Sequence, residues 1–447
     1  MNQLIAPARA KLPLRLLLIY AGPALPLAML GLPLLVILPD FWAHDIGVRL
    51  ATVGYVLSAV RIFDVLIDPT IGRLSDLSRS RFGRRKPFIA CAIPIAGVGT
   101  IGLFFPPHGA GAIWLFITYA LVTWSWTALS LPYWAWGAEL SDNYDERQRI
   151  TSLREGGTIV GILISAAAPV ALSVTSNAGK VHLLAIITLA MSVPLIMLAL
   201  RYVPDPLPRV STASAANMRS TLRIVWANRP FRRLIAAWAV NGLANGLPAA
   251  LFLLVIAQVL HAAAASGPIL LVYFAAAILS VPLWQLLARA RSKHLAWTIA
   301  MAMSGIAFIF VPIIRHLPSA LVLFGVISVF TGAGLGADFT IPPAIQADVV
   351  DVDEAASGEQ RAGLYFAAAT MAQKAGNSLA PGIGFAVLQA FGFSTRGHNS
   401  AMAIGALLVM YCVIPATLKI IAALLMWHFP LDRQHQATLR AEIALRA

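Results

Sequence analysis

Residues 61–87 read RIFDVLIDPTIGRLSDLSRSRFGRRKP, beginning inside an apolar run and ending in a dense basic loop. Asp64 and Asp68 stand four apart, so on a helix their carboxylates share one face, with Arg61 one turn earlier beside them. A carboxylate at membrane depth costs about 2.5–3.5 kcal/mol even on the lenient insertion scale, so two of them do not face lipid. They line a cavity or pair with cations. The blander reading is a structural Arg61–Asp64 bridge at i,i+3 that pins two helices.

Composition supports placing this stretch in a membrane. The 447-residue chain is 59% hydrophobic and 12% charged, where a soluble chain carries about 25% charged residues. Its mean hydropathy is +0.78. Apolar runs of about 20 residues recur throughout, which predicts a polytopic protein whose partner is the lipid bilayer. The start has no basic n-region, short apolar core and small-residue cleavage site, so no removable signal peptide is expected. The net charge of +14 would suggest nucleic acid in a soluble protein. Here the basic residues gather in alternate loops, which the positive-inside rule explains without a nucleic-acid partner. Cys91 and Cys412 both lie in apolar runs and read as small core residues, neither a disulfide nor a metal site. No metal-ligand cluster, nucleophile elbow or phosphate loop is present, so neither an enzyme nor a cofactor is expected.

Hydropathy predicts an all-α membrane protein of twelve transmembrane helices, over 14–38, 46–72, 87–105, 112–138, 151–174, 181–203, 231–260, 267–288, 295–314, 319–345, 361–390 and 399–427. The loop after span 2 carries Arg73, Arg79, Arg81, Arg84, Arg85 and Lys86. The segment after span 6 adds Arg209, Arg219, Arg223, Arg229, Arg232 and Arg233, and the loop after span 8 adds Arg289, Arg291 and Lys293. The opposite loops hold little beyond Arg49, Lys180, Arg315 and Arg396. Both termini are therefore expected in the cytoplasm.

Residues 204–230 include PDPLPRVSTASAAN, the composition of a linker. It divides the chain into an N-terminal six-helix bundle (1–203), a cytoplasmic linker (204–230) and a C-terminal six-helix bundle (231–447). A short internal echo agrees with the split. Ala138-Glu139-Leu140-Ser141-Asp142 follows span 4, and Ala347-Asp348-Val349-Val350-Asp351 follows span 10, about half the chain later. Parallel repeats of this kind build two-bundle, alternating-access transporters. Pro23, Pro26 and Pro33 in span 1, Pro132 in span 4, and Pro342 and Pro343 in span 10 allow bending or only assist packing.

Other polar residues sit within spans. Thr127, Ser130, Leu131 and Trp134 form one helical stripe in span 4. Trp134 belongs to a cavity on this pattern, while Trp124, Trp126 and Trp136 read as interfacial anchors. An aromatic face in a cavity can stack on a sugar ring or any flat apolar ligand. Arg154 opens span 5, where snorkelling competes with function. Asn241 and Asn245, at i,i+4 in span 7, bind a solute or hydrogen-bond across helices. Lys374 and Asn377 lie deep in span 11, which holds no acid. A buried ammonium needs one, and elimination leaves Asp64 and Asp68. Asp338 in span 10 is the other candidate near mid-membrane, with an arginine near a loop as its expected partner.

The stretch at 61–87, LPYWAWGAELSDNYDERQRITSLREGG after span 4, ADVVDVDEAASGEQRAGLYF after span 10 and QKAG in span 11 together resemble the glycoside–pentoside–hexuronide:cation symporter family of the major facilitator superfamily. The resemblance implies a major facilitator fold, residence in the cell inner membrane, a monomer, and a small-molecule solute moved with a coupling cation. It assigns Asp64, Asp68 and Thr127 to a cation site, and Lys374 and Arg154 to the central cavity with Trp134 beside the sugar. Gly72, Asp76, Gly83, Arg84 and Arg85 resemble the superfamily's gating loop. The sodium-dependent lysophospholipid transporters are similar at the aspartate pair and the lysine, so fold does not fix the solute.

Two departures from the pattern matter. The sugar transporters of the family hold hydroxyls with acids in spans 1 and 4, where this chain has no acid in AGPALPLAMLGLPLL and Ser130 in span 4. Ile67 stands where an asparagine would precede the second cation-site aspartate. The expectation is therefore cation-coupled symport of a sugar, glycoside or sugar acid, with H+ favoured over Na+ because Ile67 offers no oxygen. The alternative is a lysolipid or another amphiphile. Ser130, Asn241, Asn245 and Asn377 complete the expected solute and coupling positions.

Overall fold

The computed structural model describes residues 12–77, 80, 83, 85–141, 144–205, 226–357, 362–395, 397–427 and 429–431. Inside these stretches the side chains of some residues, Asp76 among them, lie outside the described set. Twelve helices follow in order: α1 (Leu14–Ile46), α2 (Leu50–Leu77), α3 (Lys86–Phe104), α4 (Ala112–Glu139), α5 (Tyr144–Ala171) and α6 (Asn177–Tyr202). After the mostly undescribed linker come α7 (Arg229–Gln258), α8 (Ser266–Ala290), α9 (Lys293–Ile314), α10 (Ala320–Ser357), α11 (Ala362–Ala390) and α12 (Ala401–Trp427). Among the described residues, ten helices are long and apolar enough to cross a membrane. The other two, α2 and α11, carry Asp64, Asp68 and Lys374.

Local chemistry sets several helix starts. Ser176, Asn228, Ser292 and Ser400 each accept a backbone N–H from three residues on, capping α6, α7, α9 and α12. Helix α1 is interrupted at Pro23, then runs through widened turns at Pro33–Ile37 and Phe41–Ile46, because proline removes a backbone donor and crowds the preceding turn. Hydropathy ends span 1 at 38, starts span 5 at 151 and ends span 10 at 345; the helices reach Ile46, Tyr144 and Ser357. The differences have one cause. Helical hydrogen bonding continues past membrane depth, whereas hydropathy registers only depth.

Close backbone approaches then position the charged helices. A Cβ on Gly242 would lie 2.9 Å from the Gln373 carbonyl, and one on Gly376 would lie 2.3 Å from that of Ala239, so α7 and α11 pack nearly backbone to backbone. A Cβ on Gly54 would lie 2.6 Å from the Pro381 carbonyl, and Ser58 Oγ accepts from Gly382 N at 2.9 Å. These contacts lock α2 antiparallel against α11. Two to three turns further along, Asp64 and Asp68 come opposite Lys374.

More cross-links join the helices before residue 205 to those after 226, at the end remote from the basic loops. Lys180 Nζ donates to Ser266 Oγ at 2.8 Å, Ala51 N to Gln389 Oε1 at 3.1 Å, and His44 Nδ1 lies 2.8 Å from the Thr395 carbonyl. The chain is therefore held closed at that end.

Candidate functional site

Asp64 is 6% exposed and Thr127 fully buried, and Thr127 Oγ1 donates to Asp64 Oδ1 at 2.8 Å. Lys374 Nζ reaches Asp64 Oδ2 at 3.4 Å and makes a close hydrogen bond to Asp68 Oδ2. The second oxygen of Asp68, Oδ1, is buried with no hydrogen-bond partner among the described residues. A buried carboxylate oxygen without a donor is costly, and a cation or proton on it would relieve that cost. Arg61 does not bridge Asp64; its Nε donates to Tyr119 Oη at 2.7 Å.

Arg61, Asp64 and Lys374 open onto a cavity of about 250 Å³, together with Tyr119, Thr123, Trp126 and Ser378. Trp126 anchors its own indole by donating to the Leu27 carbonyl at 3.2 Å, and meets Trp134 edge-on at 6.3 Å. Trp134 is 41% exposed and carries the Arg154 guanidinium over its ring at 6.0 Å. Arg154 also pairs with Glu155 at 2.6 Å. The stripe of α4 therefore connects the carboxylate pair to a second polar patch through two tryptophans.

Other residues singled out in the sequence lie elsewhere. Ser130 is buried and turns its hydroxyl back to the Thr127 carbonyl. Asn377 lays its backbone against Gly242 and Gly246 of α7. Asn241 and Asn245 join a separate network, in which Asn245 Nδ2 donates to Asp338 Oδ2 at 2.8 Å and Lys419 Nζ donates to Asn241 Oδ1 at 3.0 Å. Trp297 Nε1 donates to the other Asp338 oxygen at 2.6 Å, and Lys419 Nζ lies 3.9 Å from Asp338. The arginine expected beside Asp338 is thus replaced by Lys419 of α12, a residue hidden in an apolar run.

In the gating-loop stretch, Arg85 Nη2 bonds Glu139 Oε1 at 2.6 Å and Arg85 Nη1 bonds Ser75 Oγ at 2.8 Å. Gly83 adopts φ +107°, and a Cβ there would lie 1.9 Å from Asp205 Oδ2, so only glycine fits. The backbone of Gly72 and Asp76 falls in the last turns of α2, the surroundings of both lie outside the described residues, and Arg84 lies outside them altogether.

Four cavity residues, Tyr119, Thr123, Trp126 and Ser378, are not among the site residues expected from the sequence. Thr123 and Tyr119 lie one and two turns before Thr127, Trp126 lies one turn before Ser130 and Ser378 one turn after Lys374, so helical spacing would have found them. Of the other tryptophans of α4, Trp136 is buried. The Trp136 indole donates to the Pro204 carbonyl at 2.8 Å, and the buried Trp124 Nε1 has no hydrogen-bond partner among the described residues.

A family model described as MFS/sugar transport protein matches residues 19–433. The chain belongs to that family. Transporters of this family are multi-pass membrane proteins and not enzymes, and the twelve-helix, all-α architecture agrees. An uncharacterized symporter of Synechocystis sp. is 26% identical over 95% of both chains. The glucuronide carrier protein homolog of Escherichia coli is 20% identical over 90% of both. The crystal structure of the nucleoside transporter NupG superposes with a TM-score of 0.65 at 13% identity, covering 93% of this chain and 99% of that one, which establishes the major facilitator fold.

Proposed function

We propose that this transporter is a cation-coupled symporter of a sugar, glycoside or sugar acid, working by alternating access between a six-helix bundle at 1–203 and another at 231–447. The observation that carries the reading is the Asp64–Asp68–Lys374 cluster, which ties α2 to α11 across the two bundles while leaving one carboxylate oxygen unpaired. A cation arriving at Asp68 Oδ1 competes with the Lys374 ammonium for the same carboxylates. Displacing that ammonium unfastens α2 from α11, so binding changes the balance between access states.

Charge counting favours an acidic solute. Arg61 and Lys374 balance Asp64 and Asp68 when the site is empty. A bound cation leaves one excess positive charge, which a solute carboxylate on the Arg61 side of the cavity would neutralise. Trp126 and Trp134 supply faces for a sugar ring.

The coupling ion is a proton. Sodium wants about five or six oxygen ligands, by analogy with other hard cations. Asp64, Asp68 and Thr127 supply a partial shell, and Ile67 turns instead into an apolar crevice of about 530 Å³ between α2, α3 and α4. That crevice supports a second reading, in which the solute is a lysolipid or similar amphiphile. The distribution of basic loops puts both termini in the cytoplasm, with the protein in the cell inner membrane.

Vesicle uptake with one imposed ion gradient at a time, at fixed membrane potential, tests the coupling. Accumulation driven by an inward proton gradient is the expected result. Accumulation driven by sodium and indifferent to pH would refute proton coupling. Competition by lysolipids but not by sugar acids would move the solute to the amphiphile class.

A further inference from the structure

At the end remote from the basic loops, the seam between the two halves holds a buried ammonium. Lys180, in the first turn of α6, is 5% exposed, and its Nζ donates to Ser266 Oγ, itself 2% exposed, at the first residue of α8. Among the described residues the Lys180 ammonium has this one hydrogen bond and no ion pair. Lys374 and Lys419 each face an aspartate instead. The acid whose charge reaches Lys180, Asp40 of α1, accepts a close hydrogen bond from Asn177 Nδ2.

Helix ends add to the cost of this arrangement. The ammonium lies in the first turn of α6 and against the start of α8, where both macrodipoles present their positive ends. Ser266 Oγ directs its own proton at the Ala263 carbonyl, so it serves Lys180 as an acceptor only. A Cβ on Gly267 would lie 2.8 Å from Val170 Cγ2, so α5 and α8 pack closely beside the pair. The seam between α2 and α11 is built differently. Ala51 N donates there to Gln389 Oε1 at 3.1 Å, and Ser58 Oγ accepts from Gly382 N at 2.9 Å, bonds that bury no charge. One hydrogen bond to a neutral hydroxyl recovers only part of the hydration that a buried ammonium loses, and parting α6 from α8 would return Lys180 to water.

We propose that Lys180 is an opening charge, which destabilises the closed arrangement of α6 against α8 while Ser266 limits the penalty, a role that rests on alternating access between the halves. The two access states then stay close enough in free energy for ion and solute binding to switch them. A latch and an opening charge contain the same hydrogen bond but respond oppositely to substitution. If the bond held the halves together, losing either partner would favour opening. Where the cost of burying the ammonium dominates, losing Lys180 favours closure, whereas losing Ser266 strips the ammonium of its acceptor and favours opening.

The test places spin labels at His108→Cys and Ser319→Cys, exposed positions just before α4 and α10, in the full-length protein carrying Cys91→Ser; Cys412 is fully buried. In lipid nanodiscs, pulsed electron spin resonance reads the ratio of long to short distances between the halves. Ser266→Ala should raise that ratio about fivefold, and Lys180→Met should lower it about tenfold. Combined, they should give the ratio of Lys180→Met alone, because the serine then has no ammonium to serve. Lys180→Gln keeps a donor for Ser266 without the charge and should act as Lys180→Met does. A raised ratio in Lys180→Met, or in the double variant, would make the pair a latch and overturn the proposal. A ratio that neither single variant alters would overturn it as well. A single distance in every variant would instead overturn alternating access, and the opening charge with it.

Discussion

The Asp338–Lys419 pair and the Asp64–Asp68–Lys374 cluster both lie in the middle of apolar helices, and they are built on opposite plans. Asp338 and Lys419 are 5% and 3% exposed, and both Asp338 oxygens are hydrogen-bonded, by Trp297 and Asn245. All of their partners lie on α7, α9, α10 and α12, so the cluster ties one half of the chain to itself. Asp64, Asp68 and Lys374 instead join the two halves; Asp64 and Lys374 border a cavity, and Asp68 Oδ1 has no hydrogen-bond partner among the described residues. The contrast teaches that depth alone does not identify a transport site. A charge that is fully bonded within one half has nothing to exchange; on the proposed alternating-access reading, one bonded between the halves has both a ligand to gain and a contact to lose.

The largest expected effect is at the cross-bundle carboxylates. Asp64→Asn and Asp68→Asn should each reduce concentrative uptake about 100-fold, to background, while expression and some solute binding persist. Undiminished accumulation in both variants would erase the distinction between the clusters. Lys374→Ala comes next, with coupled uptake down about tenfold and expression close to that of the unaltered protein, because its 27% exposed side chain leaves the freed carboxylates reachable by water and cations. Wild-type uptake by this variant would make Lys374 a mere tether.

Trp126→Ala should weaken apparent solute affinity about fivefold at unchanged ion dependence, as expected for losing one aromatic face. If instead the ion dependence moves, Trp126 belongs to the cation site and not to the solute cavity. The smallest effect on transport is expected in the second cluster. Asp338→Asn or Lys419→Met alone strands a buried charge and should cost about 3–5 kcal/mol of stability, seen as lost yield. The double variant should recover much of that yield and transport within about twofold of the unaltered protein per folded molecule. A folded double variant that fails to transport would show that the second cluster also takes part.

The sequence made much of this legible, for identifiable reasons. Spans, loop charges and the shared face of Asp64 and Asp68 follow from transfer free energies and helical periodicity, which are properties of neighbours along the chain. The requirement that Lys374 have an acidic partner follows in the same way, and elimination led to the two aspartates that the structure places beside it. Even the short echo at Glu139 and Asp348 corresponds to a structural repeat, since each pairs with a cation at the start of the helix that precedes its own.

Tertiary structure alone decided which polar residues face the cavity and which are consumed in scaffolding. Asn241 and Asn245 look like solute ligands on a helix wheel, yet Gly242 and Gly246 beside them bring α11 against one face of α7 and leave the asparagines to α10 and α12. Arg61 has Asp64 one turn away and chooses Tyr119, 58 positions on. Lys419 and Asp205 carried no local signal, because their partners are distant in the chain. A charge's need for a partner is set by the low dielectric around it and can be read locally; the identity of the partner is set by helix packing, which glycine contacts and helix crossings determine only once the whole bundle has formed.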